Sequence, residues 1–559
     1  MQNSKAIVSS RFHIPIPCTN LVEYIFDSEP TNEYWNPEDP LLLSADDPSF
    51  PGYTFDQLKT FTKALACGMR ETEGKQVVLY GLWNYNFYIA LLGSLGAGAV
   101  FYNSPPLHMG GSVSRLESLK PEYLFVGPES LEDIPDILSQ MAHPPQHVYV
   151  VDTSTHKGDA KYRYEHWSSL FDFNEGFSWP KICDQRLKTA PALVISTSGS
   201  TGSPKLAERT HYGLIGNTEQ LIYRYNLKRR EKERWLCNFV PYGVGFLLYG
   251  ILAPLKARYG TIFMRGFSVE RYAKAVEQLR PTALHSPKHI LQELLAHTDG
   301  ADFSSVTSMR TGGAYIPYAM CDAWQKLHGS TCEVVCGMTE GGIHFASDPT
   351  VPETDETIGE LLPNLEAKVV DNKGRVLAKN EIGEIYIKNP FCMRRYRNNP
   401  EETKEVFSDD GWIKTGDLGK VNEKNRCSKD LFKVNGGHVS AIQIEQAISV
   451  HPEISEVVVV PVVLPNEGEF IPRAYIVTEQ NSSLTPDLFL EWMEREVPSE
   501  MHARAGVEFL DALPISVAGK VDRNSLRRKA NSGPQRAWLS ALSRSWENPH
   551  CKPSPLLIK

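Results

Sequence analysis

The 559-residue chain predicts an α/β protein: a large N-terminal domain of parallel-rich sheets with a strand-rich, barrel-like segment at its end, then a small α+β C-terminal domain. Three observations point there. Apolar β-type runs alternate with helical patterns through the first three quarters, the signature of layered parallel sheets. From about Gly359 the helices drop out and strands follow one another closely. The length also exceeds what one hydrophobic core supports, so two or more domains are required.

Taken in order, "KQVVLYGL" reads as a strand, "NYNFYIALLGSLGA" as a buried helix and "AVFYNS" as the next strand. "EYLFVG", "HVYVVD", "ALVIS", "GTIFM", "TALHS", "VTSMRTGG" and "CEVVCG" are further strands, with amphipathic helices such as "VERYAKAVEQLR" and "HILQELLAHT" between them. "GELLPNLEAKVVD", "EIGEIYIKNP" and "GWIKTGDLGKV" form the strand-rich segment. "SAIQIEQAISVHP" then gives a helix, and "EVVVVPVVL" and "RAYIVTE" two strands. The expected boundaries are residues 1–425, 426–530 and a polar, Pro-rich tail at 531–559 that should be loosely ordered.

Composition narrows the function classes. A net charge of −9 argues against nucleic acid or an anionic membrane as the main partner. The apolar stretches Phe87 to Tyr102 and Phe239 to Leu255 fall short of the ~20 residues a bilayer crossing needs, and both carry several glycines. The N-terminus has no signal-peptide core. Ten scattered cysteines without a CxxC pair suit a reducing compartment, and the cytoplasm is the expected location. Cys332 and Cys336, the nearest pair, read as buried thiols in a strand rather than metal ligands.

The stretch "STSGSTGSPKLAERTH", Ser196 to His211, follows the apolar run "PALVI". Gly199 and Gly202 permit close backbone approach, Ser198, Ser200 and Thr201 offer hydroxyls, and Lys205 adds a cation. Donors and a cation at a strand end suit a polyphosphate. The order is not that of the common nucleoside-triphosphatase loop. Alone, such a cluster is more often an ordinary connector.

Its companions shift that balance. "STSGSTGSPK" resembles the nucleotide loop of the AMP-forming acyl-/aryl-acid synthetases, the superfamily of acyl-CoA ligases, adenylation domains and luciferases, and most resembles its 4-coumarate–CoA-ligase-like members. "TGGAYIP", "CGMTEGG", "GELLPNLEAKVVD", "YRNNPEETKEVFSDDGWIKTGDLG" and "LPISVAGKVDRNSLR" look like that family's later motifs, in its order, across about Leu21 to Lys529.

The resemblance implies two half-reactions: a carboxylate attacks the α-phosphate of ATP to give an acyl-adenylate and pyrophosphate, and a thiol then displaces AMP. The small domain of the family is mobile and turns between the two. Residues Thr197 to Gly202 (with Ser198, Gly199, Ser200 and Thr201) and Lys205 would hold phosphates. Gly312, Gly313, Ala314 and Gly337 would border the nucleotide. Thr339 would contact the α-phosphate, Glu340 would bind Mg²⁺, and Asp417 would accept the ribose hydroxyls. Lys520 in "SVAGKVDR" matches the family's catalytic lysine, able to bridge carboxylate and phosphate as charge builds. Lys433, Gly436 and Gly437 match the loop bordering the thiol channel, with coenzyme A as the acceptor, and Lys429 in "NRCSKDLFK" is a further cofactor-binding candidate.

Departures are local. Leu206 replaces the usual glycine, Cys336 stands where an aromatic often stacks on adenine, and Asn435 replaces a frequent lysine. "NFVPYGVGF" lacks a histidine common after the proline. The stretch from Asp417 to Lys433 is short, and the usual ribose-binding arginine falls at Cys427, leaving Arg426 next door as the expected substitute. For the acid, Phe239, Tyr242, Gly243, Phe246 and Tyr315 suggest a flat apolar pocket, for an aryl, arylpropenoic or medium-chain fatty acid. A separate carrier-protein thiol as acceptor, and a non-catalytic nucleotide-binding relative, stay open as alternatives.

Overall fold

The computed structural model describes residues 7–532 except 31, 70–71, 82–83, 106–111, 153–163, 183–185, 198–204, 228–231, 299, 315, 350–356, 430, 435–436, 464–469, 481, 499–500, 504 and 516–520. Two eight-stranded sheets dominate it. The first runs, edge to edge, through Arg395–Tyr396, Lys205–Thr210, Pro191–Thr197, Val100–Ser104, Gln76–Tyr80, Tyr123–Val126, His147–Val150 and Glu165–His166. Its centre is parallel, and all five residues of Gln76–Tyr80 are buried, as expected when helices cover both faces. Helix Asn86–Gly96 is buried at every position, which explains its unbroken apolar sequence.

The second sheet runs through Glu360–Leu361, Gly342–Ala346, Thr331–Met338, Ser308–Gly312, Ala283–Pro287, Arg234–Cys237, Gly260–Phe263 and Leu42–Ser44. Each large sheet is parallel at its centre and switches to antiparallel pairing toward one edge: Lys205–Thr210 on Pro191–Thr197 in the first, Gly342–Ala346 on Thr331–Met338 in the second. Those two hairpins carry the phosphate-loop motif and the "CGMTEGG" motif. The closely spaced strands after Gly359 belong to a third, all-antiparallel sheet of five: Ile7–Ser9, Glu366–Val370, Gly383–Lys388, Ile413–Val421 and Cys427–Lys429.

Beyond it, hairpin Leu431–Val434/Gly437–Ser440 leads into helix Ala441–Ser449, whose Ser440 and Gln443 form a reciprocal capping box. Strands Ile454–Val463, Phe470–Thr478 and Val507–Phe509 complete a small sheet. Helix Ala441–Ser449 packs on one side of that sheet and helix Arg523–Ser532 on the other, each over its own apolar cluster. Helix Arg523–Ser532 runs two residues into the expected tail; the remainder of that tail, 533–559, lies outside the described residues. The stretch Phe239 to Leu255 forms helix Val244–Phe246, a wide turn at Leu247–Leu252 and helix Ala253–Ala257. No helix among the described residues is long and apolar enough to cross a membrane.

Candidate active site

The site begins at the base of the phosphate loop. Thr197 and Lys205 pair in register at the open end of their hairpin, so they stand opposite one another where the loop leaves the sheet. The loop residues Ser198, Gly199, Ser200, Thr201 and Gly202 lie outside the described residues. Lys205 Nζ forms an ion pair with Glu402 and lies 5.1 Å from the centre of the Tyr396 ring. Both partners of that pair are largely buried, which strengthens their attraction relative to a surface pair.

Tyr396 joins the two motifs. Strand Arg395–Tyr396 pairs with Lys205–Thr210, placing Tyr396 opposite Ala207. Its hydroxyl donates to the Glu340 carboxylate and also bonds with Thr197. Burial, then the charge of Glu340, pushes the phenol far above its usual range, so it remains a donor. Glu340 is buried, and its carbonyl accepts from Met393 N at 2.5 Å.

The turn carrying Thr339 and Glu340 is braced from below. Arg209, fully buried, donates to Thr339 O at 2.7 Å, Asn217 Oδ1 at 2.5 Å and Phe391 O at 3.0 Å. Burial lowers the guanidinium to about 10, with Cys392 and Glu340 opposing. Asn217 and Asn389 both donate to Gly341 O, at 3.2 and 2.8 Å. A Cβ at Gly337 would lie 2.1 Å from Gly342 O, so only glycine lets the hairpin close this tightly. Arg209, Asn217, Tyr396 and Glu402 were not singled out from sequence. The available signal was Arg209 and Asn217, long polar side chains flanking and entering the apolar helix His211–Tyr225.

Beside the second sheet a cleft opens, bordered by Gly313, Ala314, Cys336, Gly337, Ile358 and Lys429. Gly312 sits just beneath, packed against the Val335 backbone. Both cysteines lie on the expected strand, but only Cys332 is buried: Cys336 is half-buried because it borders the cleft. No cluster of three or more metal-ligating side chains occurs among the described residues. Asp417, on strand Ile413–Val421, lies 3.6 Å from Lys429 Nζ.

The neighbouring expectations are corrected. The Arg426 side chain pairs with Glu360 at 3.7 Å and does not border the cleft; Lys429 is the cation that faces Asp417. Cys427 is 1% exposed, its thiol inside the core beside Cys336, so this position does not reach a ribose. Burial falls off along the short strand Cys427–Lys429: Cys427 and Ser428 are buried, and Lys429 at its end is half-buried and borders the cleft.

On the acid side, Phe239 is half-buried against Tyr249, with ring centres 6.1 Å apart. Tyr242 is buried and its hydroxyl is pushed up to about 12 by desolvation. Gly243 caps helix Val244–Phe246. Phe246, expected to line the pocket, instead packs edge-on against Phe87 and Tyr88 in the core, at 6.1 and 6.5 Å. Tyr315, Gly436 and Lys520 lie outside the described residues. Lys433 pairs with His438 across its hairpin, and Gly437 begins the return strand. The base of the Lys520 segment is closed by the Ile515–Val521 bridge and by Asp522 N donating to Pro514 O at 2.7 Å.

The two hairpins thus bring Thr197, Tyr396 and the buried Glu340 carboxylate together beside Lys205, and Asp417 lies against Lys429 at the rim of the cleft. The chain belongs to the AMP-binding enzyme family: that family's model matches residues 37–397, and the model of its C-terminal domain matches 443–520. It is an AMP-forming ligase of the acyl-CoA synthetase type. Among its relatives, an acyl-CoA ligase of Aspergillus niger (azaF) is 27% identical over 91% of this chain and 98% of its own. A phenylacetyl-CoA ligase of the same species (epaB) is 26% identical over 92% and 98%. A 4-coumarate–CoA ligase-like protein of Oryza sativa is 27% identical over 80% and 82%. In three dimensions the chain superposes on an anthranilate CoA ligase in complex with anthranoyl-AMP (TM-score 0.73, 19% identity, 94% of this chain and 99% of that one). ATP-bound MatB from Rhodopseudomonas palustris gives a TM-score of 0.72 at 21% identity, covering 92% and 99%. These likenesses establish the adenylate-forming fold.

Proposed function

We propose that the protein activates an aryl or arylpropenoic acid, with a medium-chain fatty acid as the close competitor, and passes it to coenzyme A in the cytoplasm as a step of secondary metabolism. The observation that carries the site assignment is the Tyr396 hydroxyl, which ties Glu340 to Thr197 at the foot of the phosphate loop. The apolar surface near Phe239 and Tyr242 favours a flat acid, in keeping with relatives named for phenylacetate and 4-coumarate. The chain divides near residue 425 into two domains, and the small one supplies Lys520 to adenylation and the Gly436–Gly437 loop to thioester formation as it turns between the two steps.

The first step brings an anion against a polyanion, so positioning and neutralisation dominate. Lys205 and the loop Ser198–Gly202 receive the outer phosphates, Thr339 meets the α-phosphate, and Asp417 accepts the ribose hydroxyls. Gly312, Gly313, Ala314 and Gly337 flank the base. Glu340, a hard oxygen donor held by a phenol rather than a cation, fits Mg²⁺, which would neutralise phosphate charge there. Lys520 approaches the carboxylate and α-phosphate. Lys433, Gly436 and Gly437 border the path of the pantetheine thiol.

Acid-dependent ATP–pyrophosphate exchange over a panel of aryl and fatty acids, with thioester formation from free coenzyme A measured beside it, tests the reading. Exchange and thioester with aryl acids are expected. Exchange without thioester would replace coenzyme A by a carrier-protein thiol, and ATP binding without exchange for any acid would overturn the proposal.

A further inference from the structure

Helix Arg523–Ser532 begins three residues after Lys520, so whatever fixes this helix fixes the foot of the lysine-bearing segment. One end of it is locked into the small sheet. Arg523 grips Glu445 with two hydrogen bonds, 2.6 and 3.0 Å, and donates to Val459 O at 2.8 Å. Leu526 and Ala530 are buried against Val458, Val460 and Tyr475, whose hydroxyl bonds to Leu526 O at 3.1 Å.

Arg527 lies one helical turn beyond Arg523 and reaches the other way. Its guanidinium donates to Gly416 O at 2.6 Å, on the third sheet and adjacent in sequence to Asp417. The Gly416 amide in turn donates to Glu384 Oε1 at 3.0 Å, and Glu384 is a half-buried carboxylate whose field includes Arg527 and Lys414. A charged donor therefore joins the small sheet to the strand that carries the ribose-side aspartate. A second seam is weaker: Lys288, at the start of helix Lys288–His297, lies in the field of Glu445 and Arg523.

We propose that Arg527 is a positioning residue that latches the small C-terminal unit onto the Gly416–Asp417 turn and so favours the domain pose that serves adenylation. The inference rests on the two-step reading above. Arg527 touches no substrate. It acts by selecting one of two domain poses, so its loss should slow the step that needs this pose and spare the step that needs the other.

The test uses the full-length Arg527→Ala and Arg527→Lys variants. For Arg527→Ala, acid-dependent pyrophosphate exchange should fall about tenfold in kcat, the range expected from losing a charged hydrogen bond, with the KM for ATP within about twofold. Thioester formation from supplied acyl-adenylate should be unchanged, and Arg527→Lys should recover part of the exchange. Small-angle scattering should show a larger radius of gyration for Arg527→Ala than for the unmodified protein, at an unchanged melting temperature. Equal loss in both half-reactions, no loss in either, or scattering identical to the parent protein would overturn the latch. If the unmodified protein exchanges with no acid, the functional reading fails on its own, and scattering still decides whether Arg527 holds the two units together.

Discussion

At the residue scale, the hydroxyl of Tyr396 is the smallest group on which the site's geometry depends. Removing it in Tyr396→Phe leaves the ring beside Lys205 but deprives Glu340 of its donor. A hydrogen bond to a charged group contributes about 1.5–3 kcal/mol, so kcat/KM for exchange should fall roughly 10- to 100-fold with little change in melting temperature. Cys427 gives the opposite lesson. Motif alignment places a ribose-binding arginine there, yet the side chain sits in the core at 1% exposure. Cys427→Arg should lower stability by about 3–5 kcal/mol, read as loss of soluble protein or a large fall in melting temperature, because an unpaired guanidinium would be buried. Both positions lie in recognisable motifs; what separates them is which way each strand faces, and a one-residue register shift reverses that. Arg426, next door, ends on Glu360, while Lys429 stands opposite Asp417.

At the element scale, the hairpin Thr331–Met338/Gly342–Ala346 was legible as a motif but not as a shape. "CEVVCG" reads as a strand, and the structure shows that strand running on to Met338 before a tight turn. Register shifts between Cys336 and Gly337 just before the turn, and the turn's Glu340 meets the Tyr396 hydroxyl. Gly337→Ala should force the two strands apart, since its Cβ would meet Gly342 O at 2.1 Å. A destabilisation of about 1–3 kcal/mol is expected from such overpacking, together with loss of exchange beyond what unfolding explains; full exchange activity would mean the hairpin absorbs the methyl. The brace beneath the turn, Arg209 with Asn217, escaped sequence reading because its partners are 8 to 182 positions away in the chain. Phe246 was misplaced for a similar reason: on the helix Val244–Phe246 neighbouring residues face different directions, and Phe246 turns to Phe87 rather than to the cleft.

At the scale of the whole molecule, stability and chemistry respond to different perturbations. Two buried histidines stay neutral: burial lowers His211 to about 4 and His344 to about 3. In the unfolded chain both bind protons near pH 6.5, so the native state is favoured in full above that pH. Below it the unfolded state takes up protons that the native state refuses. Each histidine should therefore cost about 1.4 kcal/mol of stability per pH unit between pH 6.5 and its folded value. Urea midpoints measured from pH 7 to 5 should fall accordingly, and His211→Asn, which keeps an acceptor near Leu21 N, should flatten the slope by one histidine's share. Chemistry should divide by half-reaction instead. Lys520→Ala should abolish exchange and leave thioester formation from supplied acyl-adenylate intact; equal loss of both would contradict its assignment.

The sequence by itself determined the class of the fold, the order of its strands and helices, and the residue types a nucleotide site requires. Periodicity and short motifs are local properties, carried by residues a few positions apart. Only the tertiary structure decided which of those residues meet. Tyr396 reaches Glu340 and Lys205 reaches Glu402 across 56 and 197 positions of chain. Such contacts depend on sheet register and on which face of each strand is buried, and both are settled by packing the whole core at once.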